Sequence, residues 1–480
     1  MQSYLFKNQQ YIAGKWIQGT SNHLIKNINP FNQAMILELH AASIKDVDVA
    51  YLAAQNAFGT WSKTDATVRK NLVERVADII SKRREEIIDL LIQESGSTRL
   101  KANIEFNAAL AIIHEAATFP NRLINSKLKS PNLERHSWVY KKALGVIAVI
   151  SPWNFPFHLS MRSVVTAIAI GNSVVLKPAS DTPITGGLLL AKIFEEAALP
   201  EGVLSVVAGS GREIGDYFVE HAVPKLISFT GSTEVGQGVG KLAVSGSHLK
   251  RVALELGGNA PLVVLDDADL DLAVELTVMG RFLHQGQICM STNRVIVDAS
   301  IYDNFIEKLI VRAKQIPFGD PALEETLIGP IISTDQVEKI KGIIQKAISQ
   351  GTHIALNGEI IGNVIPPHIF IDVDPKSALA QEESFGPVLP VIKAQDEAHA
   401  LELANDTCFG LSSAVCTSNK ERGLAFALGI DAGMTHINAI SVADDPTAPF
   451  GGEKNSGLGR FNGHWILEEF SRTHWVTVNK

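Results

Sequence analysis

Between residues 145 and 250, short β-branched apolar runs alternate with stretches of helical spacing. That alternation restricts the chain to a largely parallel sheet with helices packed on its faces. The runs are Gly145-Val-Ile-Ala-Val-Ile150, Ser173-Val-Val-Leu176, Leu204-Ser-Val-Val207 and Lys225-Leu-Ile-Ser-Phe229. None alternates with polar residues, so each reads as a strand covered on both sides. The helical stretch 183–198 opens with Asp181-Thr182 and places Pro183 in its first turn, where a missing N–H costs nothing. This region therefore reads as a nucleotide-binding α/β layer. A second α/β series runs from about 260 to 440, with Pro261-Leu-Val-Val-Leu265, Arg294-Val-Ile-Val297 and Ser412-Ser-Ala-Val-Cys416.

Ahead of the first series, Val68, Leu72, Val76, Ile79, Ile80, Ile87, Ile88 and Leu91 recur at helical spacing, which predicts long amphipathic helices over 64–95. The stretch 122–143 and the last fifteen residues are strand-like but belong to neither series. The sequence shows no internal repeat and no low-complexity linker, so tightly packed domains are expected. A chain of 480 residues exceeds one ordinary domain.

The net charge is −8, and no run of five basic residues occurs. Nucleic acid and anionic lipid need a concentrated cationic surface, so neither is expected as the main partner. The opening MQSYLFKNQQ lacks the charged start and apolar stretch of a signal peptide. The longest apolar region, Val164 to Leu176, is broken by Gly171 and Asn172, whereas a membrane span needs roughly 20 such residues. The three cysteines, Cys289, Cys408 and Cys416, give neither a disulfide framework nor Cys-x-x-Cys spacing. No metal site is expected, and a reducing, cytoplasmic location is.

Several residues could carry chemistry. Cys289 sits in Gln285-Gly-Gln-Ile-Cys-Met-Ser291; it reads as a buried small hydrophobe or, given a local positive potential or a base, as a nucleophile. Gly286 beside it would let backbone approach a ligand. Glu255 stands between Leu254 and Leu256, ahead of Gly257-Gly258. It is either a solvated strand-end carboxylate or an acid whose apolar setting raises its pKa into the range of a general base. Asn154, in Ser151-Pro-Trp-Asn-Phe-Pro-Phe157, follows the first buried strand, where ligands collect in open α/β sheets. Its amide either caps the turn or donates to an oxyanion. Lys177 ends another strand and could bind ribose hydroxyls or a phosphate. Gly231 and Ser232 open a helix whose free N–H groups attract a pyrophosphate. Gly209-Ser-Gly-Arg-Glu-Ile-Gly215, which contains Gly211, is one residue too long for a dinucleotide fingerprint.

Taken together these segments resemble the aldehyde dehydrogenase superfamily over nearly the whole chain. Pro152-Trp-Asn-Phe-Pro156, Lys177-Pro178, Phe229-Thr-Gly-Ser232, Leu254-Glu-Leu-Gly-Gly258, Gly286-Gln-Ile-Cys289, Glu382-Glu-Ser-Phe-Gly-Pro387 and Pro449-Phe-Gly-Gly452 occur in the family's order. The resemblance implies an α/β fold of three parts. These are a Rossmann-like NAD(P)-binding domain (1–121 and 144–253), a catalytic α/β domain (254–455) and a small β oligomerisation arm (122–143 and 456–480). It also implies a homodimer or homotetramer.

The same resemblance makes Cys289 the nucleophile, Glu255 the base that activates water, and Asn154 with the Cys289 backbone N–H the oxyanion site, with Lys177 also in the catalytic set. NAD or NADP would be held by Trp153, Lys177, Ser180, Gly211, Gly231, Ser232, Gly257, Glu383 and Phe385. Where NAD-specific members often carry a glutamate this chain has Ser180, which would not repel the 2′-phosphate of NADP. Met290 is a bulky apolar neighbour of the nucleophile.

A closer similarity, to benzaldehyde, vanillin and salicylaldehyde dehydrogenases, rests on His284-Gln-Gly-Gln-Ile-Cys-Met-Ser-Thr-Asn-Arg294, Gly433-Met-Thr-His-Ile-Asn438 and Asp444-Asp445-Pro446. It places Phe155, Leu159, Arg162 and Phe450 near a substrate tunnel, although Arg162 also reads as a surface or interface salt bridge. An aromatic aldehyde is then the expected substrate. Aliphatic aldehydes, a CoA-acylating reaction and a catalytically idle binding protein are the alternatives.

Overall fold

The computed structural model describes residues 3–6, 8–129 and 134–479. Along the chain its main strands are β1 (Gln10–Ile12), β2 (Lys15–Ile17), β3 (Ser126–Leu128), β4 (Arg135–Ala143), β5 (Val146–Ile150), β6 (Ser173–Lys177), β7 (Leu204–Val206), β8 (Leu226–Thr230) and β9 (Arg251–Glu255). There follow β10 (Ala260–Val264), β11 (Thr292–Asp298), β12 (His353–Leu356), β13 (His368–Ile371), β14 (Val388–Ala394), β15 (Ser412–Cys416), β16 (Met434–Ile437), β17 (Gly457–Leu458) and β18 (Ser471–Asn479). The helices that matter for the site are α1 (Ala66–Lys82), α2 (Arg84–Ser95), α3 (Arg99–Ala116), α4 (Pro156–Ile170), α5 (Leu189–Glu196), α6 (Thr233–Ser245), α7 (Thr334–Ser349) and α8 (Gly463–Phe470).

The first series of apolar runs forms an eight-stranded sheet of order β2-β1-β7-β6-β5-β8-β9-β17. Its five inner strands, β7 to β9, are parallel. From β5 the chain adds β6 and β7 on one side, then returns to add β8 and β9 on the other. This is doubly wound, with its switch point between β5 and β8. The second series forms a seven-stranded sheet, β12-β13-β14-β11-β10-β15-β16, parallel apart from β12. From β10 the chain adds β11 and β14 to one side, then β15 and β16 to the other. The winding is the same, and its switch point lies between β10 and β15. The chain changes sheets between Glu255 and Ala260, so the expected boundary at 253/254 falls inside β9.

Of the expected helical stretch 64–95, residues 66–95 are helical, in two pieces broken at Arg83, whose guanidinium pairs with Glu86 (2.8 Å) and Glu196 (2.9 Å). Seven of the eight apolar positions are buried; Val68 is half exposed. Helix α4 is buried at every residue, as expected for an apolar helix enclosed on all sides. The stretch 183–198 departs from expectation. It begins with a π-type turn, Ile184–Leu188, before α5. The free N–H groups of that turn are met by a distant residue: the Glu94 carboxylate accepts from Ile184 N (2.8 Å) and Thr185 N (2.6 Å). Burial pushes the Glu94 carboxyl up to about 7.

The strand-like ends form a third sheet, β18-β4-β3, in which β18 and β4 pair over nine residues from Ser471↔Ala143 to Asn479↔Arg135. Only the chain from Ser471 onward enters it. Ahead of that, β17 pairs with β9 and α8 packs on α4, so 456–470 belongs with the first sheet. The buried side chain of Asn172 joins the two parts. Its Oδ1 accepts from Leu144 N (2.7 Å) and Gly145 N (3.0 Å), and its Nδ2 donates to Phe470 O (3.0 Å).

Candidate active site

The carboxyl ends of β5, β8 and β9 face the amino ends of β10, β11 and β14 across a cavity of about 310 Å³. Pro152, Trp153 and Asn154 reach it from β5, Thr230 to Ser232 from β8, and Glu255 to Gly257 from β9. Cys289 and the segment Glu383–Phe385 close the opposite wall, with Gln336, Lys339 and Ile343 of α7 at its side. The cavity thus opens at the switch point of the first sheet, where a doubly wound sheet leaves a crevice.

The loop bearing Cys289 is held from outside itself. His284 and Gln285 adopt φ of 52° and 57°, a left-handed conformation that non-glycine residues rarely take. Side-chain bonds hold it there. Gln285 accepts from Gly329 N (3.0 Å) and donates to Pro330 O (2.8 Å), and Gln287 accepts from Ile332 N (3.0 Å). Gly286 does permit a close approach, but of the Gly386 carbonyl rather than a ligand, since a Cβ there would lie 2.4 Å from that oxygen. At Gly258 a Cβ would stand 2.2 Å from the Cys289 carbonyl, so only glycine lets β10 begin so near the thiol.

The Cys289 thiol and the Glu255 carboxylate line the same cavity, close enough for each to shift the other's pKa. Burial, then the charges of Glu255 and Glu383, push the thiol well above its ordinary range, and Arg162 opposes them. The pair therefore rests as thiol and base, not as a thiolate stabilised by positive potential. Glu255 is 1% exposed, which excludes a solvated carboxylate. Burial raises it to about 7 against the charge of Arg162, and its Oε1 has no hydrogen-bond partner. Asn154 serves its own turn as well as the loop opposite. Its Oδ1 accepts from Phe155 N (3.0 Å) while its Nδ2 donates to Gln287 O (3.0 Å). An amide nitrogen carries two hydrogens, so one remains for the cavity.

On the neighbouring walls, Trp153 and Phe385 meet edge to face at 5.4 Å. Ser232 caps the thirteen-residue helix α6, and Thr233 Oγ1 accepts from Gly257 N (3.2 Å). Glu383 accepts from Gly258 N (3.0 Å), and burial holds its carboxyl at about 7. Lys177, Ser180 and Gly211 lie outside this cavity. Lys177 ends β6, where burial lowers its ammonium to about 8, and Ser180 follows it. Gly211 opens a turn after β7.

Phe155, Leu159, Arg162 and Phe450 are likewise not part of its lining. Arg162 is fully buried, so it is no surface salt bridge. Its guanidinium lies 4.5 Å from the ring centroids of both Phe450 and Phe461, and 3.7 Å from Asp444. None of its three nitrogens has a hydrogen-bond partner. Sequence reasoning missed Lys101 and Glu105 of α3, which lie directly beneath Asn154. Their spacing looks like a surface pair, and only their place beside the apolar positions Ala102, Phe106 and Ala109 hints otherwise.

Comparison with known proteins agrees with this layout. Residues 16–476 match the model of the aldehyde dehydrogenase family, so the chain belongs to that family and is an oxidoreductase. A vanillin dehydrogenase of Corynebacterium glutamicum is 53% identical over 98% of this chain and 97% of its own. A benzaldehyde dehydrogenase of Bacillus subtilis is 46% identical, with the same coverage. The crystal structure of an NAD-dependent benzaldehyde dehydrogenase from Corynebacterium glutamicum superposes with a TM-score of 0.92 at 49% identity, over 100% of this chain and 98% of that one. The expected α/β fold is the fold of that structure.

Proposed function

We propose that the protein oxidises an aromatic aldehyde to its carboxylic acid with NAD(P)⁺ through a thioester on Cys289. The observation that carries this is the Cys289 thiol sharing one cavity with a buried, underbonded Glu255 and a spare Asn154 amide hydrogen. Glu255 takes the thiol proton as sulfur bonds to the carbonyl carbon, and the C=O electron pair moves onto oxygen. Asn154 Nδ2 and the Cys289 backbone N–H receive that oxyanion. A nicotinamide held beside Trp153, Glu383 and Phe385 would supply the two-electron acceptor needed to oxidise the thiohemiacetal to the thioester. Glu255, having released the thiol proton to solvent, then takes a proton from water as the water oxygen bonds to the acyl carbon; the C–S bond breaks, the acid leaves and sulfur takes the proton from Glu255.

The residues present fit a dinucleotide. The capped N-terminus of α6 opens on the cavity and offers N–H groups to a pyrophosphate. Gly231, Ser232 and Gly257 would line that path, with Trp153, Glu383 and Phe385 at the nicotinamide end and Lys177, Ser180 and Gly211 toward the adenosine. Neutral Ser180 leaves NADP admissible. Support for an aromatic substrate comes from relatives named for vanillin, benzaldehyde and salicylaldehyde, and from Phe155 and Leu159 at the start of α4 with Phe450 against Arg162. Arg162 would face that side of the site. A CoA-acylating reaction has no need of a water-activating base, and an idle protein has no need of Cys289, Glu255 and Asn154 together.

The three-stranded sheet leaves one edge of β18 unpaired, with Trp475 and Val478 exposed, and would carry assembly into a homodimer or homotetramer. No helix among the described residues is long and apolar enough to cross a membrane, and three free cysteines suit the cytoplasm.

The test is the absorbance of reduced cofactor over a panel from acetaldehyde through hexanal to benzaldehyde and vanillin, with NAD⁺ and NADP⁺ in parallel. Higher kcat/KM for the aromatic members is expected, and preference for hexanal would remove the aromatic assignment. Strong exclusion of NADP⁺ would overturn the reading of Ser180, and acyl-CoA in place of free acid would overturn hydrolysis.

A further inference from the structure

Two charged side chains that take no part in this chemistry are hidden under the loop that carries Asn154. Lys101 and Glu105 stand one turn apart on α3, and both are 0% exposed. Burying two charges costs far more than an i,i+4 pair returns on an open helix, unless every donor and acceptor finds a partner. Here they do. The Lys101 ammonium has three hydrogens and three acceptors: the Glu105 carboxylate, Ser97 Oγ (3.0 Å) and the backbone carbonyl of Asn154 (2.6 Å). It also lies 4.1 Å from the ring centroid of Phe155. The second Glu105 oxygen accepts from Phe157 N (2.9 Å) and His158 N (3.1 Å). Those are first-turn N–H groups of α4, which has no cap of its own.

The bond to Asn154 has a particular reach. The Asn154 carbonyl and the Phe155 N–H belong to one planar peptide unit. Lys101 holds its oxygen, and its N–H donates to Asn154 Oδ1 (3.0 Å). The orientation of that peptide plane therefore sets the orientation of the Asn154 side-chain amide, and hence where its free hydrogen points. Glu105 fixes Phe157 and His158 just beyond Pro156, so the plane cannot swing with the loop.

We propose that Lys101 and Glu105 are positioning residues, which hold the Asn154 peptide so that its side-chain amide meets the oxyanion formed on Cys289. The proposal rests on the reading of Asn154 as the oxyanion donor. Lys101 touches no reacting atom; it acts through a backbone it does not share.

The test is a double-mutant cycle on the first-turnover burst of reduced cofactor, using Asn154→Ala and the paired replacement Lys101→Met with Glu105→Gln, which leaves no stranded charge. Asn154→Ala should slow the burst on the order of 10²-fold. The paired replacement should slow it about tenfold in the wild-type background and by less than about twofold in the Asn154→Ala background, because coupled residues are not additive. Cofactor affinity and the rate of Cys289 alkylation, followed by mass spectrometry, should hold within about twofold in all four proteins. Equal slowing in both backgrounds would mean the pair only supports the fold, and no slowing in either would overturn the proposal outright. A burst untouched by Asn154→Ala would instead remove the oxyanion assignment and the positioning role with it. If the paired variant does not fold, Lys101→Arg keeps the charges balanced with a broader head, and the same cycle is read on it.

Discussion

The two large sheets are wound alike, yet only one of them opens at its switch point. Beyond β5 the chain leaves through the proline-containing turn Ser151–Phe155, beyond β8 through Gly231 and the capped helix α6, and the crevice stays a cavity. Beyond β10 and β15 the equivalent crevice is closed by its own side chains. Asp267 accepts from Thr417 Oγ1 (2.7 Å) and Ser418 Oγ (2.7 Å), and Arg422 binds Asp266 (2.7 Å), Asp267 (2.9 Å) and Glu397 (2.7 Å). The second sheet contributes chemistry from its opposite edge, where β10, β11 and β14 begin. Winding creates a crevice, and loop chemistry decides whether it is spent internally or left for a ligand.

The sharpest way to break this contrast is at the open crevice. Cys289→Ala should form no product with any aldehyde yet still bind cofactor, as checked by steady-state assay and fluorescence titration. Glu255→Gln should release one equivalent of reduced cofactor per site, more slowly because the thiol loses its proton acceptor, and then stall, with kcat lowered roughly 10²- to 10⁴-fold. Full steady turnover in that variant would show that water is activated elsewhere.

A smaller effect follows from burial of Glu255. The base must be ionised, and its pKa is raised to about 7, so kcat should fall as pH drops below about 7 and level off above it. An exposed carboxylate would keep the plateau down to about pH 5. A kcat–pH profile with its acid limb near 4.5 would show that burial does not govern this group. At the closed crevice, Asp267→Ala should lower stability by about 1 kcal/mol, since its partners are partly exposed, and leave kcat unchanged. Denaturant unfolding alongside the assay checks both halves. A change in kcat would mean the second switch point is not idle.

Much of this architecture is legible in the sequence for one physical reason. Inner strands of a parallel sheet are covered on both faces, and so Val146–Ile150, Ala260–Val264 and the Val174–Leu176 centre of β6 appear as unbroken apolar runs. The matching order of the two sheets is not legible, because shared winding requires no shared residues, and no repeat marks it. Cys289, Glu255 and Asn154 stand out through their neighbours. That the thiol shares a cavity with a carboxylate 34 positions earlier does not, since only folding brings β9 to the start of β11. The π-type turn after Pro183 was hidden similarly: its cap, Glu94, is 90 residues away from Ile184. Lys101 and Glu105 were disguised by their spacing, which usually marks a solvated helix face.

Asn172 gives the three-stranded sheet a mechanical meaning. Its one side chain grips the chain where β4 hands over to β5 and where α8 hands over to β18, so both long strands of that sheet are rooted at a single buried amide. A load on the sheet cannot be absorbed at a slack joint there. Either those three bonds break together or the load passes into β5, a strut of five residues and about 17 Å whose far end leads directly to Asn154.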